Sequence, residues 1–562
     1  MVKTLVMRIL HFFHSSGLSM APSRPSLAGC ACRGCAREKE RVNSGGGQRG
    51  FFSYGVLSLT LLGVLFLGGC YTAPSMSRTP PDELVVLMES FPASLDPLMV
   101  GDAYGVRISH QLIYETLVGL NDRLEISPGV AESWAKISPT RWRLTLRRDI
   151  HFSDGKALDS GDVVETLRRV MDPKVGSPYG AVLREKLASV KAAGPYGVEL
   201  TLTQPYGSFL ADLILPVLPR LPASGQIPPG SGPFQLAAME PGRITLSRNP
   251  RYHGVPPTLE RITFRVVKDD ATRMLKLRKG DADLVMNALP LDKLVLFQRK
   301  PLNEWFQLLE APGLSYQYLG FNMTHPVLKN PQVRLALAHA LDVDTLIHYR
   351  EKDHARRAWG MFPPESPYHS PTPPPAFDPA LAERLLDQAG YPRREDGFRF
   401  EVTYKTTTNR HAVAQGRIIA GMWRKVGVLV TVRAYEWGTF YEDIQKGNFD
   451  LFSLRWLGVT DPDYLYELFH SSRWPVKGRN RVRYADAQMD RWLEEGRLTQ
   501  SESARKAVYL KIQRKLAQDL PYVSLWFGHQ TAVASRRLSG LRFHPTGGFQ
   551  YLPWVKKSAM TP

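Results

Sequence analysis

A cation, a large aromatic ring and two carboxylates stand close together in one part of the sequence. Arg455 and Trp456 end the segment 449–456, which we predict to be a strand, and the loop behind it contains Asp461 and Asp463. Such a group at a strand end can hold a polar small molecule with an apolar body. The two acids could in principle do acid–base work. A core tryptophan followed by a capping or solvated loop is the alternative.

A short helix and a turn must position this strand end. Phe440, Tyr441 and Ile444 have the spacing of one helical face, which predicts a helix over residues 437–446. Gly447 is a natural stop for that helix. We therefore expect helix, turn, strand and loop to form one unit that presents the candidate binding residues.

Motifs for catalysis are missing from the sequence. It has no zinc-protease His-Glu-x-x-His, no P-loop, no Gly-x-Ser-x-Gly elbow and no dinucleotide fingerprint. The histidines are not at metal-ligand spacing with carboxylates, which is typical of scattered surface or core histidines. We therefore predict a protein that is not an enzyme and that uses no cofactor or metal ion. A hydrolase is the alternative, and it would need a nucleophile or metal site.

Composition indicates a folded protein of two or three lobes. The chain has 562 residues, of which 43% are hydrophobic and 22% charged. Its formal charge is +19, and from Cys70 onward 64 basic residues face 51 acidic ones. This excess is spread along the chain without a dense basic block, so it predicts attraction to anionic surfaces but no nucleic-acid recognition.

All four cysteines lie in the first 70 residues, at positions 30, 32, 35 and 70. The chain after Cys70 therefore has no means to form an internal disulfide, a thiolate metal site or a cysteine nucleophile. Cys30-x-Cys32-x-x-Cys35 resembles metal-ligand spacing but has no fourth ligand. We do not expect it to bind a metal.

An apolar, uncharged run covers residues 51–67, with Arg49 before it and Gly68-Gly69-Cys70 after it. It is short for a membrane span, which usually needs about 20 residues, and it has the layout of a secretory signal. Leu67-Gly68-Gly69-Cys70 resembles a bacterial lipobox, which implies cleavage before Cys70 and lipidation of its thiol. An uncleaved anchor helix is the alternative.

Fifty residues precede this apolar run, which is unusual for a signal peptide. A competing match, Leu27-Ala28-Gly29-Cys30, lacks a good apolar segment upstream. The simplest hypothesis is that translation starts nearer Val42. N-terminal analysis of the native protein tests it, and a peptide from residues 1–40 would contradict it.

Further along the chain, predicted strands and helices alternate. Two stretches dense in proline and glycine, residues 215–233 and 358–379, interrupt this alternation. We place a lobe boundary in the first of them. The order strand–helix–strand over residues 261–286 predicts a crossover onto a sheet, so we expect an α/β fold.

Several blocks in succession resemble the family 5 solute-binding proteins of ABC importers, the oligopeptide, dipeptide and nickel receptor family. The resemblance covers about residues 82–556. Its blocks, in chain order, are SLDPLMVGDAYG, WRLTLRRDIHFSDGKALDSGDVVETLRRVMDP, GSGPFQL, RNPRYHG, FNMTHPVLKNPQVRLALAHALD, DPALAERLLDQAGYP and LPYVSLWF. Each block alone is weak evidence, but their collinear order is strong evidence.

This resemblance implies a periplasmic-binding-protein-like fold, with two lobes, a hinge and an extra inserted subdomain, which closes around its ligand. Hinge strands are expected near residues 318–322 and Pro521. The implied division is an N-terminal extension with a lipoprotein signal peptide (1–69), a tether (70–83), lobe I (84–119, 229–320 and 522–562), an inserted subdomain (120–228) and lobe II (321–521).

The resemblance also implies ligand-binding residues. Trp437 and Trp456 match two tryptophans that line the cleft of peptide-binding members. Those members carry an acid soon after the second tryptophan, which pairs with the ligand's α-amino group. Here Val459 stands where the acid is expected and Asp461 is the first acid, so a one-residue deletion would have removed the amino-binding carboxylate.

Five further candidates complete the implied site. Asp102 and Tyr104 lie where the first lobe of the family reaches the ligand, and Tyr318 and Asn322 lie near the hinge. Arg455 could bind a carboxylate or phosphate with two hydrogen bonds. A surface arginine on an alternating strand is its alternative.

The sequence therefore predicts an exported, lipid-anchored monomer in the periplasm or at the cell surface of a bacterium. It would bind oligopeptides between its lobes and deliver them to a membrane permease. Alternatives are a receptor for another polar solute, such as an opine, sugar conjugate or metal chelate, and an anchored sensor or chaperone-like binder. A neighbouring permease gene would favour transport over sensing.

Overall fold

The computed structural model of the chain describes residues 78–558, apart from 221–226, 371 and 476. All described residues belong to the same structural unit. Cys70, the apolar run before it and the start of the tether lie outside the described residues, so signal cleavage and lipidation stay predictions. In the part of the chain that is described, no helix has both the length and the apolarity needed to cross a membrane.

Nineteen strands form within the described residues, and two of them are much longer than the rest. In chain order the strands are β1 (Glu83–Met88), β2 (Val118–Leu120), β3 (Ile126–Pro128), β4 (Ala131–Ser138), β5 (Arg141–Leu146), β6 (Leu187–Ala192), β7 (Gly197–Leu202), β8 (Phe234–Glu240), β9 (Arg243–Arg248), β10 (Arg261–Val266), β11 (Leu284–Met286), β12 (Phe306–Phe321), β13 (Ala355–Arg357), β14 (Phe400–Thr407), β15 (Val428–Tyr435), β16 (Leu451–Trp456), β17 (Tyr522–Ser535), β18 (Leu538–Ser539) and β19 (Lys556–Lys557).

Fourteen α-helices accompany these strands in the described chain. They are α1 (Ala103–Ile108), α2 (Ser160–Met171), α3 (Gly180–Lys186), α4 (Asp270–Arg278), α5 (Leu291–Leu294), α6 (Leu302–Trp305), α7 (Pro331–His339), α8 (Val343–Leu346), α9 (Pro379–Gln388), α10 (Arg410–Lys425), α11 (Trp437–Lys446), α12 (Tyr464–Phe469), α13 (Ala487–Leu498) and α14 (Glu502–Asp519).

Most strands join one large mixed sheet in the order β15-β14-β16-β12-β17-β11-β1-β10-β9-β8, and β13 pairs with β17 outside this path. β4, β5, β7 and β6 form a separate antiparallel sheet. β10 and β11 flank β1 and run parallel to it, with α4 between them in sequence. This is the crossover that the sequence predicts, and the fold is α/β as expected.

β12 and β17 pair antiparallel along almost their whole lengths. The C-terminal part of β17 also pairs with β11, whereas the C-terminal part of β12 pairs with β16. The two long strands therefore connect the end of the sheet built from β1 and β8–β11 with the end built from β14–β16.

The ladder between β12 and β17 is interrupted between Ala311 and Ser315. Pro312 has no backbone N–H to donate. At Gly313 a Cβ would lie only 2.5 Å from the Gly528 carbonyl oxygen, so a side chain does not fit. We infer that the chain passes between the two ends of the sheet here, a few residues before the hinge strand expected near residues 318–322.

Four hydrophobic cores of the described chain fall into two pairs. The first pair is built from residues 84–306 and 532–555 and covers both faces of β1, because successive side chains of a strand alternate. The second pair is built from residues 316–527 and covers both faces of β16 in the same way. We call these two groups of residues the first half and the second half.

Local signals in the sequence predict several of these elements correctly. Asp159 caps α2, and Asp162 completes a capping box with it. β8 and β9 form the hairpin expected around Pro241-Gly242. These predictions are confirmed because the determining contacts lie within a few residues of each other.

Two predicted helices are shorter than expected. The helix expected from Ala103 through residue 115 ends at Ile108 and continues as a π-helical turn over Ser109–Ile113. The single helix expected after Asn330 breaks before Asp342, whose side chain accepts a hydrogen bond from the Thr345 N–H and starts a new helix. An internal aspartate favours a cap over a helix interior.

Candidate ligand-binding site

The helix, turn and strand of the candidate site fold as the sequence predicts. α11 ends at Gly447, whose φ of 83° lies in the left-handed region. β16 then leads to Trp456. At the start of α11, Trp437 is 56% exposed and stacks on Tyr441, with ring centroids 5.4 Å apart. Trp437 is thus an exposed aromatic surface supported by its own helix.

Replacing Gly447 by alanine should lower the free energy of unfolding by about 1–2 kcal/mol, because L-residues are strained at this φ. The new Cβ would also lie 2.1 Å from Nε of Arg483. Gly438→Ala, in the same helix with nothing within 4 Å of its Cβ, is the control and should stabilise by up to about 1 kcal/mol. Chemical denaturation measures both changes, and equal effects would contradict the argument.

Arg455 and Trp456 do not share a face of β16. Trp456 is 7% exposed and belongs to a core of the second half, whereas Arg455 is exposed and pairs in register with Gln317. Neighbouring side chains of a strand point to opposite faces. The prediction that these two residues bind one ligand together is therefore wrong, and Arg455 is not part of the candidate site.

A different arginine lies over the Trp456 ring. The Arg481 guanidinium carbon is 4.4 Å from the ring centroid. On the same aromatic cluster, Tyr318 stacks in parallel with Trp456 at 6.1 Å, and Tyr464 meets it edge-on at 5.6 Å. The strand end therefore combines aromatic rings with a cation, as the sequence predicts. The cation is Arg481 and not Arg455.

Asp461 is committed to an ion pair inside the second half. Both of its carboxylate oxygens accept from the Arg505 guanidinium, at 2.7 and 3.2 Å. Arg505 is 4% exposed. Burial lowers the pKa of Arg505, but Asp461 outweighs this effect and the pKa is raised overall. Asp461 is thus a structural partner of Arg505 as well as a residue of the cavity wall.

Asp463 joins the two halves. Its carboxylate lies 3.0 Å from Nε of Arg497 in the second half and 3.6 Å from Nζ of Lys186 in the first half. Lys186 is 3% exposed and also pairs with Asp212 at 2.8 Å. Burial lowers the pKa of Lys186, but Asp212 and Asp463 raise it more, so the ammonium stays charged. These four charged residues form an ion-pair bridge between the halves.

A cavity of about 590 Å³ lies beside this bridge and is lined by both halves. Ser208 and Asp212 line it from the first half, and Tyr464 and Arg479 line it from the second. The loop of residues 457–461, which follows Trp456 directly, forms part of its wall. This volume is in the range of small-molecule sites. The cavity is therefore the candidate ligand-binding site.

Val459 lines this cavity where a peptide receptor's acid was expected. Its side chain is 7% exposed and packs in the core that contains Trp456. The nearby acids Asp461 and Asp463 are both engaged by cations of the chain. No carboxylate that is free of such a partner replaces the missing acid in the described loop.

A sequence model described as bacterial extracellular solute-binding proteins, family 5 Middle, matches residues 125–475. The chain belongs to family 5. Within the described residues no group of histidines, cysteines and acids has the arrangement needed to hold a metal ion. The known proteins that this chain matches are binding proteins. This family 5 protein is therefore a solute-binding receptor of the kind that serves ABC importers.

The family 5 protein is similar to the glutathione-binding protein GsiB of Escherichia coli (strain K12), with 26% identity over 490 residues, 84% of this chain and 93% of GsiB. It resembles the structure of DppA from Helicobacter pylori in complex with the peptide STSA, with 26% identity, a TM-score of 0.67 and coverage of 84% and 98%. It also resembles NikA from Brucella suis in complex with Fe(III)-EDTA, with 25% identity, a TM-score of 0.75 and coverage of 85% and 100%.

Two candidate residues of this family 5 protein have structural roles in the chain. Asp102 caps α1, accepting from the N–H groups of Gly105 at 2.8 Å and Ala93 at 3.0 Å. The Asn322 amide donates to the carbonyl oxygens of Gly447 and Phe449 and so ties down the turn before β16. Because these polar groups are occupied, we leave both residues out of the proposed contact set.

Tyr104 and Tyr318 are aromatic residues on different halves. Tyr104 is 7% exposed, and the Arg107 guanidinium lies 5.7 Å from its ring centroid. Tyr318 is fully buried, and burial raises the pKa of its hydroxyl to about 12. Tyr318 therefore supports the Trp456 ring from below and does not itself reach the cavity.

The charged residues that surround the loop of residues 457–463 are not among those predicted from the sequence. Arg481 lies in a loop with no local pattern, and only the tertiary fold brings it to Trp456. The burial of Arg505, in contrast, could be predicted from the sequence, because Arg505 lies on the same face of α14 as the buried residues Val508, Tyr509 and Ile512. A buried arginine on an apolar helical face needs a counter-ion, which is a signal of an ion pair.

Proposed function

We propose that this protein is the extracytoplasmic receptor of an ABC importer and that it binds short oligopeptides in the cavity between its two halves. The cavity of about 590 Å³, lined by residues of both halves, is the observation that carries this proposal. A ligand in contact with both halves stabilises their closed arrangement, and release follows when they separate. We propose further that lipidated Cys70 anchors the receptor, as a monomer, beside a membrane permease.

Two kinds of support favour a peptide. The matched structure of DppA holds the peptide STSA, and GsiB is named for binding glutathione, which is itself a small peptide. In this chain Tyr464 lines the cavity, with the buried Trp456 against its ring, and it offers a surface on which apolar side chains can pack. Aromatic surfaces of this kind accept peptides of many sequences.

A non-peptide polar solute is the second candidate function. The buried Val459 and the ion pairs of Asp461 and Asp463 favour it, because the loop after Trp456 leaves no free carboxylate for a peptide's ammonium group. Glu185 and Glu467 also line the cavity, and each is near an arginine. Burying an ammonium without a counter-ion costs several kcal/mol. NikA, whose matched structure holds Fe(III)-EDTA, is a relative of this kind with a metal chelate.

Native mass spectrometry of the protein purified from its own bacterium should detect a bound peptide in the mass range of a few residues. Thermal melting with a peptide library then tests the same point. A peptide at 100 times its Kd should add about 2.7 kcal/mol to the free energy of unfolding. Peptides that leave the melting temperature unchanged, together with a co-purified ligand that is not a peptide, would establish the second candidate.

A further inference from the structure

A second cavity, of about 70 Å³, lies wholly within the second half of the protein. β12, β17, α12 and α14 contribute to its wall, together with the segment that follows β13. No described residue lines both this cavity and the cavity between the halves. α12 borders both of them, with Tyr464 and Glu467 on the cavity between the halves and Leu465 and Phe469 on the second cavity. The second cavity is therefore a separate space with its own wall.

The wall of the second cavity is mostly apolar and carries no charge. Tyr316, Trp359, Phe469 and Tyr522 are the aromatic residues that line it, and none of its described lining residues is acidic, basic or a histidine. A charged ligand would lose its hydration here without gaining a counter-ion. The volume is roughly five times that which one water molecule requires. Size and lining therefore favour an uncharged molecule built on a single aromatic ring.

One polar atom of this wall has no hydrogen-bond partner. The Gln513 side chain, 8% exposed, donates from Nε2 to the carbonyl oxygens of Tyr368 at 2.9 Å and Tyr509 at 3.3 Å. Because carbonyl oxygens only accept, these bonds fix the orientation of the amide. Its Oε1 is then buried without a donor, whereas the Ser524 hydroxyl of the same wall pairs with that of Tyr316 at 2.7 Å. Such buried, unpartnered acceptors are rare in folded proteins.

Gly360 leaves open space next to this oxygen. Apart from its chain neighbours, a Cβ at Gly360 would have a single atom within 4 Å, Oε1 of Gln513 at 3.7 Å. Both residues line the second cavity. Trp359 also lines it and is 45% exposed, so the wall reaches the protein surface here. A hydrogen-bond donor that enters beside Trp359 can therefore approach Gln513 through the space at Gly360.

We propose that the second cavity binds a small uncharged aromatic molecule, whose hydroxyl or N–H group donates a hydrogen bond to Oε1 of Gln513. Phenol is the simplest molecule of this class. The aromatic residues of the wall favour an aromatic ring through edge-on and offset contacts. Because Oε1 is already buried without a donor, binding supplies it with a partner and takes none away. The site goes beyond the proposed function, since it takes a different class of ligand in a different place.

Fluorine NMR with para-fluorophenol tests this proposal. The wild-type protein should bind this probe at millimolar concentration. It should bind para-fluoroanisole, the same ring with its hydroxyl methylated, about tenfold more weakly, because the donor is gone. Para-fluorobenzoate is charged and should not displace para-fluorophenol. No binding of para-fluorophenol, equal binding of the anisole, or displacement by the benzoate would overturn the proposal.

Gly360→Ala tests the space beside the acceptor without touching Gln513. The new methyl group would fill that space at an ordinary contact distance, so it should leave the fold intact and weaken para-fluorophenol binding about tenfold. Gly421→Ala in α10, with nothing within 4 Å of its Cβ, is the matched control and should bind as the wild type does. Equal binding by the two variants would contradict the proposal.

Gln513→Leu removes the acceptor itself. It should abolish the preference for para-fluorophenol over para-fluoroanisole, a ratio that a general loss of packing would not change selectively. Gln518→Leu makes the same substitution at an exposed position of α14 and should keep the preference. A preference that survives in Gln513→Leu would overturn the role of Gln513. Melting curves without added probe establish that each variant is folded.

A crystal structure with para-bromophenol locates the site, because anomalous scattering identifies the bromine. Bromine in the second cavity is the expected result. Bromine only between the halves, or water alone in the second cavity, would overturn the proposal. A bromine signal without binding in solution would mean binding at crystal concentration only and would overturn it as well. Because the peptide function concerns the other cavity, it would stand in each of these cases.

Discussion

Asp461→Asn is expected to lower the free energy of unfolding by about 3 kcal/mol. The substitution leaves the buried Arg505 guanidinium without its bidentate partner. Breaking a buried pair by removing one member leaves an uncompensated charge, which is more costly than losing a surface contact. Urea denaturation followed by far-UV circular dichroism measures the change.

An exposed pair provides the control for this prediction. Glu442 and Lys446 pair on the surface of α11, with both side chains more than half exposed. Glu442→Gln should change the free energy of unfolding by no more than about 0.5 kcal/mol. In the double variant Asp461→Asn with Arg505→Met, the loss should be smaller than the sum of the two single losses, because no charge is left unpaired. Additive losses would contradict the pairing argument.

A pH-dependent loss of stability is expected from His110. The imidazole is 8% exposed, its Nε2 lies 3.1 Å from the Pro97 carbonyl oxygen, and burial lowers its pKa to about 4. In the unfolded chain a histidine has a pKa of about 6.5, so the folded protein favours the neutral form. The contribution to stability is therefore complete above about pH 6.5 and decreases as the pH falls towards 4.

The difference in pKa corresponds to about 3 kcal/mol at the acid end of this range. Glutamine at position 110 does not titrate. The free energy of unfolding of His110→Gln minus that of the wild type should therefore increase, from its value at pH 7, as the pH falls from 6.5 to 4. Denaturation curves at half-unit pH steps measure this. His151→Gln removes an exposed histidine and is the control. Parallel curves for wild type and His110→Gln would disprove the prediction.

Local features of the candidate site were predictable from sequence because local physics determines them. The stripe of α11 and the left-handed stop at Gly447 depend on residues within one or two turns. The alternation of β16 also contained the information that Arg455 and Trp456 face opposite ways. Proximity along the chain suggests that the two side chains share a site, but the period of a strand separates them.

Long-range features of the site were not predictable in this way. Arg481 lies 25 residues beyond Trp456 in a segment without regular structure, and nothing between them indicates that they meet. Lys186 approaches Asp463 from the other half of the protein. The resemblance to family 5 predicts a lobed architecture, but these charged contacts depend on the tertiary fold and no local sequence pattern indicates them.

The interrupted ladder at Pro312 and Gly313 has a mechanical consequence. A hydrogen-bonded sheet resists bending, and this sheet runs without a gap from β8 to β15. We infer that it bends most easily where the two long strands lack their cross-links between Ala311 and Ser315. Deformation would therefore concentrate in a few backbone torsions. Each half could then rotate as a rigid body while its own cores stay packed. The compliance of the receptor would then be set by two short stretches of backbone, remote from the residues that touch the ligand.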